Sequence, residues 1–276
     1  MPDTAAKVID IHHHVGAAPA ISAGTLTDEE IRRAEDQDLA TRLAFMDANG
    51  IDQAVLLPGS GGGTPNGFAD RCDRNTRVAA YRDREPTRFA AALGSVSPSD
   101  GDLALDEIER CFGELGMAGL VWHHRFDGVT IDHGQMDAFL SRLATHGKPA
   151  FVHILADSTL EAPWRLEILA DRFPEVQFLA LDAFSSVTQS HWMPYLASKH
   201  PNIAFDTAMM VSCGHFIDDF VAKIGAERLC FGTDFYSSPR LFGVPLPLVE
   251  TRALGFTRAQ EDAILGGNAQ RILGLA

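Results

Sequence analysis

His12 and His14 stand one residue apart at the end of the apolar run Val8-Ile9-Asp10-Ile11. A β-strand turns alternate side chains to the same side, so these two imidazoles can grip one ion while Ile11 and His13 face the other way. Neutral imidazole suits zinc, manganese, iron or nickel. By the same alternation Asp10 shares their face, deeper in the strand, where it is expected to accept an imidazole N–H; a capping or core role is the alternative. Further candidates follow at wide intervals: His123 and His124 in Gly119-Leu120-Val121-Trp122-His123-His124-Arg125, His153 in Phe151-Val152-His153-Ile154, and Asp234 in Phe231-Gly232-Thr233-Asp234. Each ends a short apolar run. One buried histidine is ordinary, but four such ends carrying His or Asp point to a shared site.

The elements that must position them are short β-branched or aromatic runs alternating with longer amphipathic stretches, the pattern of repeated βα units. Strands are expected at 8–12, 53–57, 89–96, 118–122, 150–154, 177–181, 203–206 and 229–232. Helical periodicity runs through 39–49, 70–84, 104–115, 132–146, 160–173, 192–200 and 216–224. Eight strands with intervening helices predict a (β/α)8 TIM barrel, an α/β fold, as one domain over residues 1–276, with an open doubly wound sheet as the alternative. In a parallel barrel the reacting side chains sit at the C-terminal strand ends. His12, His14, His153 and Asp234 would then share one mouth and form a mononuclear site with a position open to water. Asp234 could also move protons there.

Composition narrows the classes. The 276 residues, 46% hydrophobic, suffice for an extensive core, and a net charge of −14 argues against nucleic acid as a partner. No apolar run approaches the ~18 residues of a membrane span, and no basic-then-apolar leader opens the chain, so a cytoplasmic protein with a small-molecule substrate is expected. Cys72, Cys111, Cys213 and Cys230 form no CxxC pair, which gives neither a disulfide framework nor a zinc knuckle. The glycine-rich stretch at 59–67 lacks a GK[ST] ending and is read as a surface loop or a lid.

Six segments together carry a family resemblance: IDIHHHVG, DRNTRVAAYRDREPTRFAAALGSVSP, GLVWHHRFDGVTID, FVHI, LCFGTDFYSS and ILGGNAQRILGL. They resemble the amidohydrolase superfamily, in the amidohydrolase-2 branch that includes aminocarboxymuconate-semialdehyde decarboxylase-like enzymes. The resemblance implies a distorted barrel, a homodimer, and one divalent metal, zinc first and manganese second, with His12, His14, His153 and Asp234 at the ligand positions. Val121 occupies a place where some members carry the lysine that bridges two metals. One departure stands out: strand 6 of the branch usually ends in a histidine, whereas here Phe178-Leu179-Ala180-Leu181 runs into Asp182. Asp182 is expected to act as acid/base, ligand or hydrogen-bond acceptor, since a carboxylate after four apolar residues is costly to leave unpaired.

His123 is a further catalytic candidate, with a packed histidine as the alternative. Arg125 and Arg240 are candidates for a bidentate grip on a substrate carboxylate. Trp122 and Phe184, with Trp192, Met193 and Phe235, are candidates for an apolar pocket. The reaction expected first is hydrolysis of a lactone or amide by a metal-activated water, with Asp234, alone or with Asp182, as base; a non-catalytic binding barrel is the third choice. Non-oxidative decarboxylation of an aromatic or unsaturated acid, with Asp234 supplying the proton that replaces CO2, is the alternative.

Overall fold

The computed structural model describes residues 6–15, 27–59, 64, 66–209, 214–237, 240–241 and 243–275, with the backbone alone at Arg240 and Leu241. Eight strands pair in chain order, each parallel to the next. They are β1 (Ile9–Val15), β2 (Gln53–Pro58), β3 (Phe89–Gly94), β4 (Gly119–Trp122), β5 (Ala150–His153), β6 (Phe178–Leu181), β7 (Ile203–Asp206) and β8 (Leu229–Cys230). The helices between them are α1 (Asp28–Asn49), α2 (Phe68–Arg84), α3 (Leu103–Gly113), the one-turn α4 (His124–Asp127), α5 (Met136–His146), α6 (Pro163–Arg172), α7 (Val187–Lys199) and α8 (His215–Ile224). A short antiparallel ribbon, β9 (Tyr236–Ser237) with β10 (Arg240–Leu241), follows β8, and helices α9 (Leu246–Ala253), α10 (Arg258–Asp262) and α11 (Asn268–Leu273) end the chain.

Closure of the ring falls to the first and last strands. Ile11 N donates to Phe231 O at 3.0 Å, His14 N to Phe235 O at 3.0 Å, and Phe235 N to His12 O at 3.1 Å. β1 therefore runs on to Val15, beyond the expected end at His12, because His13 and His14 find partners on both sides: Leu56 and Leu57 of β2, and Phe235. The result is a (β/α)8 TIM barrel.

Strand alternation builds two apolar layers. Ile9, Ile11, Val55, Leu57, Leu93, Val121, Phe151, Leu179, Leu181 and Cys230 fill the barrel interior. Their neighbours, among them Leu56, Ala92, Leu120, Trp122, Val152, Phe178, Phe205 and Phe231, pack outward under the helices. Burial of this surface is the main stabilising term. Helix α1 starts eleven residues before its apolar pattern does, at Asp28, because Thr27 and Glu30 form a capping box and three acidic residues occupy the first turn. No described helix is long and apolar enough to cross a membrane.

Candidate metal centre

The histidines of β1 owe their aim to an irregularity. Between Asp10 and His13 the strand advances three residues while β2 advances two, from Ala54 to Leu56. Such a bulge breaks the period-2 alternation. Ile9 and Ile11 therefore join the interior layer, and His12 and His14 still point into the mouth. Asp10 is the correction: it does not share the face of His12 and His14. Its Oδ2 meets His13 Nε2 at 2.9 Å and accepts from Thr233 Oγ1 at 2.6 Å, and its Oδ1 accepts from the backbone of His12 and of Thr233, each at 3.1 Å. Asp10 does accept an imidazole N–H, but that of His13. Its further work is to tie the backbone of β1 to the segment after β8.

That segment reads Gly232-Thr233-Asp234, and each residue has a separate task. A Cβ at Gly232 would lie 3.0 Å from Asp206 Oδ2 and 3.1 Å from His12 Cβ, so glycine is what lets the chain pass this close. Thr233 anchors on Asp10. Asp234 then adopts φ 57°, the left-handed region, and turns its carboxylate onto the two β1 imidazoles. Asp182, after β6, also takes the left-handed region, at φ 61°, and its Oδ1 lies 4.0 Å from His12 Nδ1. Aspartate visits this region at modest cost, and the two conformations are what bring both carboxylates to the mouth.

Three imidazoles meet at their Nε2 atoms: His12 to His14 at 3.0 Å and His12 to His153 at 3.2 Å. Asp234 Oδ1 lies 3.4 Å from His12 Nε2 and 3.2 Å from His14 Nε2. Each ring is held from behind at Nδ1, by Asp206 Oδ2 at 2.7 Å for His12, Pro58 O at 3.1 Å for His14 and Trp122 O at 2.8 Å for His153. A carbonyl oxygen only accepts, so the Nδ1 of His14 and of His153 each carries a proton, and each Nε2 presents a lone pair to the centre. Lone pairs converging in a dry site call for a cation. The Oδ1 atoms of Asp182 and Asp234, both buried without a hydrogen-bond partner, add anionic oxygen to the same place. The donor set, His12, His14, His153 and Asp234 with Asp182 adjacent, thus fits one divalent metal.

Electrostatics agree with that reading. Burial disfavours charge on His12, but its hydrogen bond to Asp206 and the charges of Asp234, Asp206 and Asp182 outweigh it and hold the ring up to about 10. His14 and His153 are pushed down, chiefly by burial. A proton on His12 Nε2 therefore serves two neutral neighbours in the place a cation would take. Burial, then the charge of Asp234, drives Asp182 well above the usual carboxylate range.

Asp206, which ends β7, was not singled out by its residue type, although it closes the apolar run Ile203-Ala204-Phe205 much as Asp182 closes its own. Its role depends on His12, from the far end of the chain. Besides holding that ring, its Oδ1 accepts from Asp182 N at 2.7 Å.

His123 is brought to the rim of the centre, its ring stacked on that of His153. It lines a small pocket with Pro58, Ser95, Val121, Phe126, Arg71 and Arg74. The two arginines, from α2, are further residues that sequence reasoning missed; helical spacing alone reads them as a solvated face. Trp122 and Phe184 are not brought to the centre. Trp122 packs outward against Phe139, and Phe184 lies edge-on to Phe220, both in the layer under the helices. Met193 is in that layer too, Trp192 lies at the surface near Trp164, and Phe235 stacks on Phe45. The side chain of Arg125 turns back on Glu161 and Phe126. The side chain of Arg240, Cys213 and most of the glycine-rich loop lie outside the described residues.

Residues 9–275 match the family model described as amidohydrolase. None of the curated proteins matches the chain by sequence. Among solved structures, the chain is similar to 5-carboxyvanillate decarboxylase from Sphingomonas paucimobilis, with TM-score 0.75 and 20% identity, covering 99% of this chain and 100% of that one. It is similar as well to 2,6-dihydroxybenzoate decarboxylase from Rhizobium, with TM-score 0.68 and 19% identity over 98% of each chain. A third is dihydroxybenzoic acid decarboxylase from Polaromonas sp. JS666 with bound manganese and the inhibitor 2-nitroresorcinol, with TM-score 0.67 and 17% identity, over 98% of this chain and 97% of that one. These neighbours correct the expectation of a lactone or amide hydrolase. Most of the named activities among the solved structures matched end to end are decarboxylations of aromatic acids, and the missing strand-6 histidine is no ground for hydrolysis.

Proposed function

The chain belongs to the amidohydrolase family, and from that premise and the geometry of the centre we propose that it is a metal-dependent carboxy-lyase acting on a small aromatic acid. The observation that carries the reading is the convergence of three Nδ1-anchored imidazoles and the Asp234 carboxylate at one mouth of a barrel built like those of aromatic-acid decarboxylases. His12, His14, His153 and Asp234 would hold zinc or manganese. The bound ion supplies a Lewis acid that orients the substrate's oxygen atoms and offsets developing negative charge.

The protein's own residues do the rest. The pocket beside His123 adjoins the converging side chains at the mouth, where a substrate held by the ion would lie. Phe126 and Val121 give the pocket apolar surface, and Arg71 and Arg74 are among its lining residues. In the reaction, the bond from the ring to the carboxylate carbon breaks and its electron pair stays on the ring carbon. The Asp234 carboxyl passes its proton to that carbon as CO2 leaves, and solvent reprotonates Asp234. Asp182, whose buried Oδ1 makes no hydrogen bond and lies beside the donor set, stands ready as a second acid/base group there.

The test is direct. Protein loaded with manganese or zinc is incubated with 5-carboxyvanillate, 2,6-dihydroxybenzoate and a panel of related hydroxybenzoates, and CO2 is measured. Release from at least one acid, lost on chelation, is expected. One metal per chain with no CO2 from any member of the panel would overturn the proposal.

A further inference from the structure

Glu161 lies in the loop between β5 and α6, and it is wholly buried. A carboxylate in such a position is costly unless its oxygens are satisfied. Its Oε1 meets His123 Nδ1 at 2.5 Å and accepts from the backbone N–H of Arg125 at 3.0 Å, while Oε2 makes no hydrogen bond and has the charge of Arg125, Nε at 3.6 Å, beside it. Ser158 Oγ accepts from the Glu161 backbone at 3.3 Å, and Glu161 O accepts from Leu155 N at 2.8 Å, so the loop is pinned at both faces of the residue. The ring so held lies flat on His153, with centroids 4.1 Å apart and planes 6° from parallel. Because a carboxylate accepts, Nδ1 carries the proton toward Glu161, and Nε2 is the nitrogen His123 has for the cavity it lines.

We propose that Glu161 is the positioning residue of His123: it fixes the ring's plane against His153 and its tautomer, so that Nε2 presents an acceptor to the substrate next to the ligand cluster. The arrangement parallels the anchoring of the three ligand imidazoles, with the difference that the nitrogen presented meets substrate rather than metal. Its kinetic consequence rests on the carboxy-lyase reading; its structural content does not.

The experiment has two arms. In the first, zinc-loaded protein with 15N-labelled histidine is examined by NMR, the His123 signals being identified by their loss in His123→Asn. Wild type should show protonated Nδ1 and bare Nε2. Glu161→Ala should show a mixture of tautomers, and Glu161→Gln, whose amide oxygen still accepts, should recover the wild-type pattern in large part. In the second arm, 2,6-dihydroxybenzoate is the substrate. Glu161→Ala should lower kcat/KM by about ten- to a hundredfold, Glu161→Gln by less, and both should keep the wild-type metal content. Adding Glu161→Ala to His123→Asn should cost nothing more. A tautomer unchanged in Glu161→Ala, or the same kinetic loss with and without His123, overturns the proposal. A tautomer shift in a protein that releases no CO2 leaves the positioning role standing and counts against the reaction instead.

Discussion

His124 and the three ligand histidines are equally buried, yet only one set makes a centre. His12, His14 and His153 each have Nδ1 held by a carboxylate or a carbonyl and Nε2 turned to a common point. His124, in the one-turn helix after β4, has neither ring nitrogen hydrogen-bonded and lies beside the outward-facing Trp122. Burial, with the charge of His123 and His133 behind it, pushes His124 down to about 3. His12, no less buried, is held up to about 10. Desolvation is common to both. What separates them is the set of anionic acceptors around His12, so the acceptors and the convergence, not burial, distinguish a ligand from a packed ring.

The sharpest way to break the comparison is to remove a ligand. His12→Ala should take the metal from about one per chain to background and activity down by about a thousandfold or more, measured by elemental mass spectrometry and CO2 release. Retention of both would show that the convergence is not the site. Asp206→Asn tests the anchoring: with a neutral partner behind His12, metal affinity should fall by about 10- to 100-fold, read by competition with a chromophoric chelator. An unchanged constant would reduce Asp206 to packing.

Proton linkage gives a smaller effect. Since His12 holds a proton up to about 10 in the metal-free protein, binding a cation must expel it. Affinity should therefore rise by up to about tenfold per pH unit between pH 6 and 8, with about one proton released in calorimetry across buffers of different ionisation enthalpy. A flat profile would mean that the ring is already neutral. The least effect belongs to His124. Its pKa is near 3 folded and near the ordinary 6.5 unfolded, so below 6.5 the unfolded chain binds the extra proton, and stability falls as pH drops from 6.5 toward 3. Within that window the loss is at most about 1.4 kcal/mol per pH unit. His124→Leu should flatten this part of the Tm–pH curve and leave metal content unchanged. An equally steep curve in the variant would assign the acid sensitivity to other groups.

Much of this was legible from residue order. The apolar runs located all eight strands to within three residues at each end, and placing His or Asp at the ends of the first, fifth and eighth was enough to name the four residues that converge. The departures at Asp10, Asp206 and Glu161 share one cause, which is pairing with distant residues. The bulge that sends Asp10 to His13 and Thr233 forms because β1 is held between β2 and the chain after β8. Trp122 and Phe184 carry the residue types of a pocket, but strand alternation and the turn after β6 direct them under the helices. Asp206 ends an apolar run as Asp182 does, Glu161 sits in a loop without a pattern of its own, and each finds its histidine partner 194 or 38 positions away.

Period and residue type by themselves determined the barrel and the strand ends at which imidazoles and carboxylates gather, because hydrophobic alternation and the chemistry of those groups are local properties. Which nitrogen of each ring faces the centre, and which histidine remains a packed ring, only the tertiary structure decided. Those outcomes depend on acceptors supplied by other strands, and hydrogen bonds of that kind exist only once the barrel has closed.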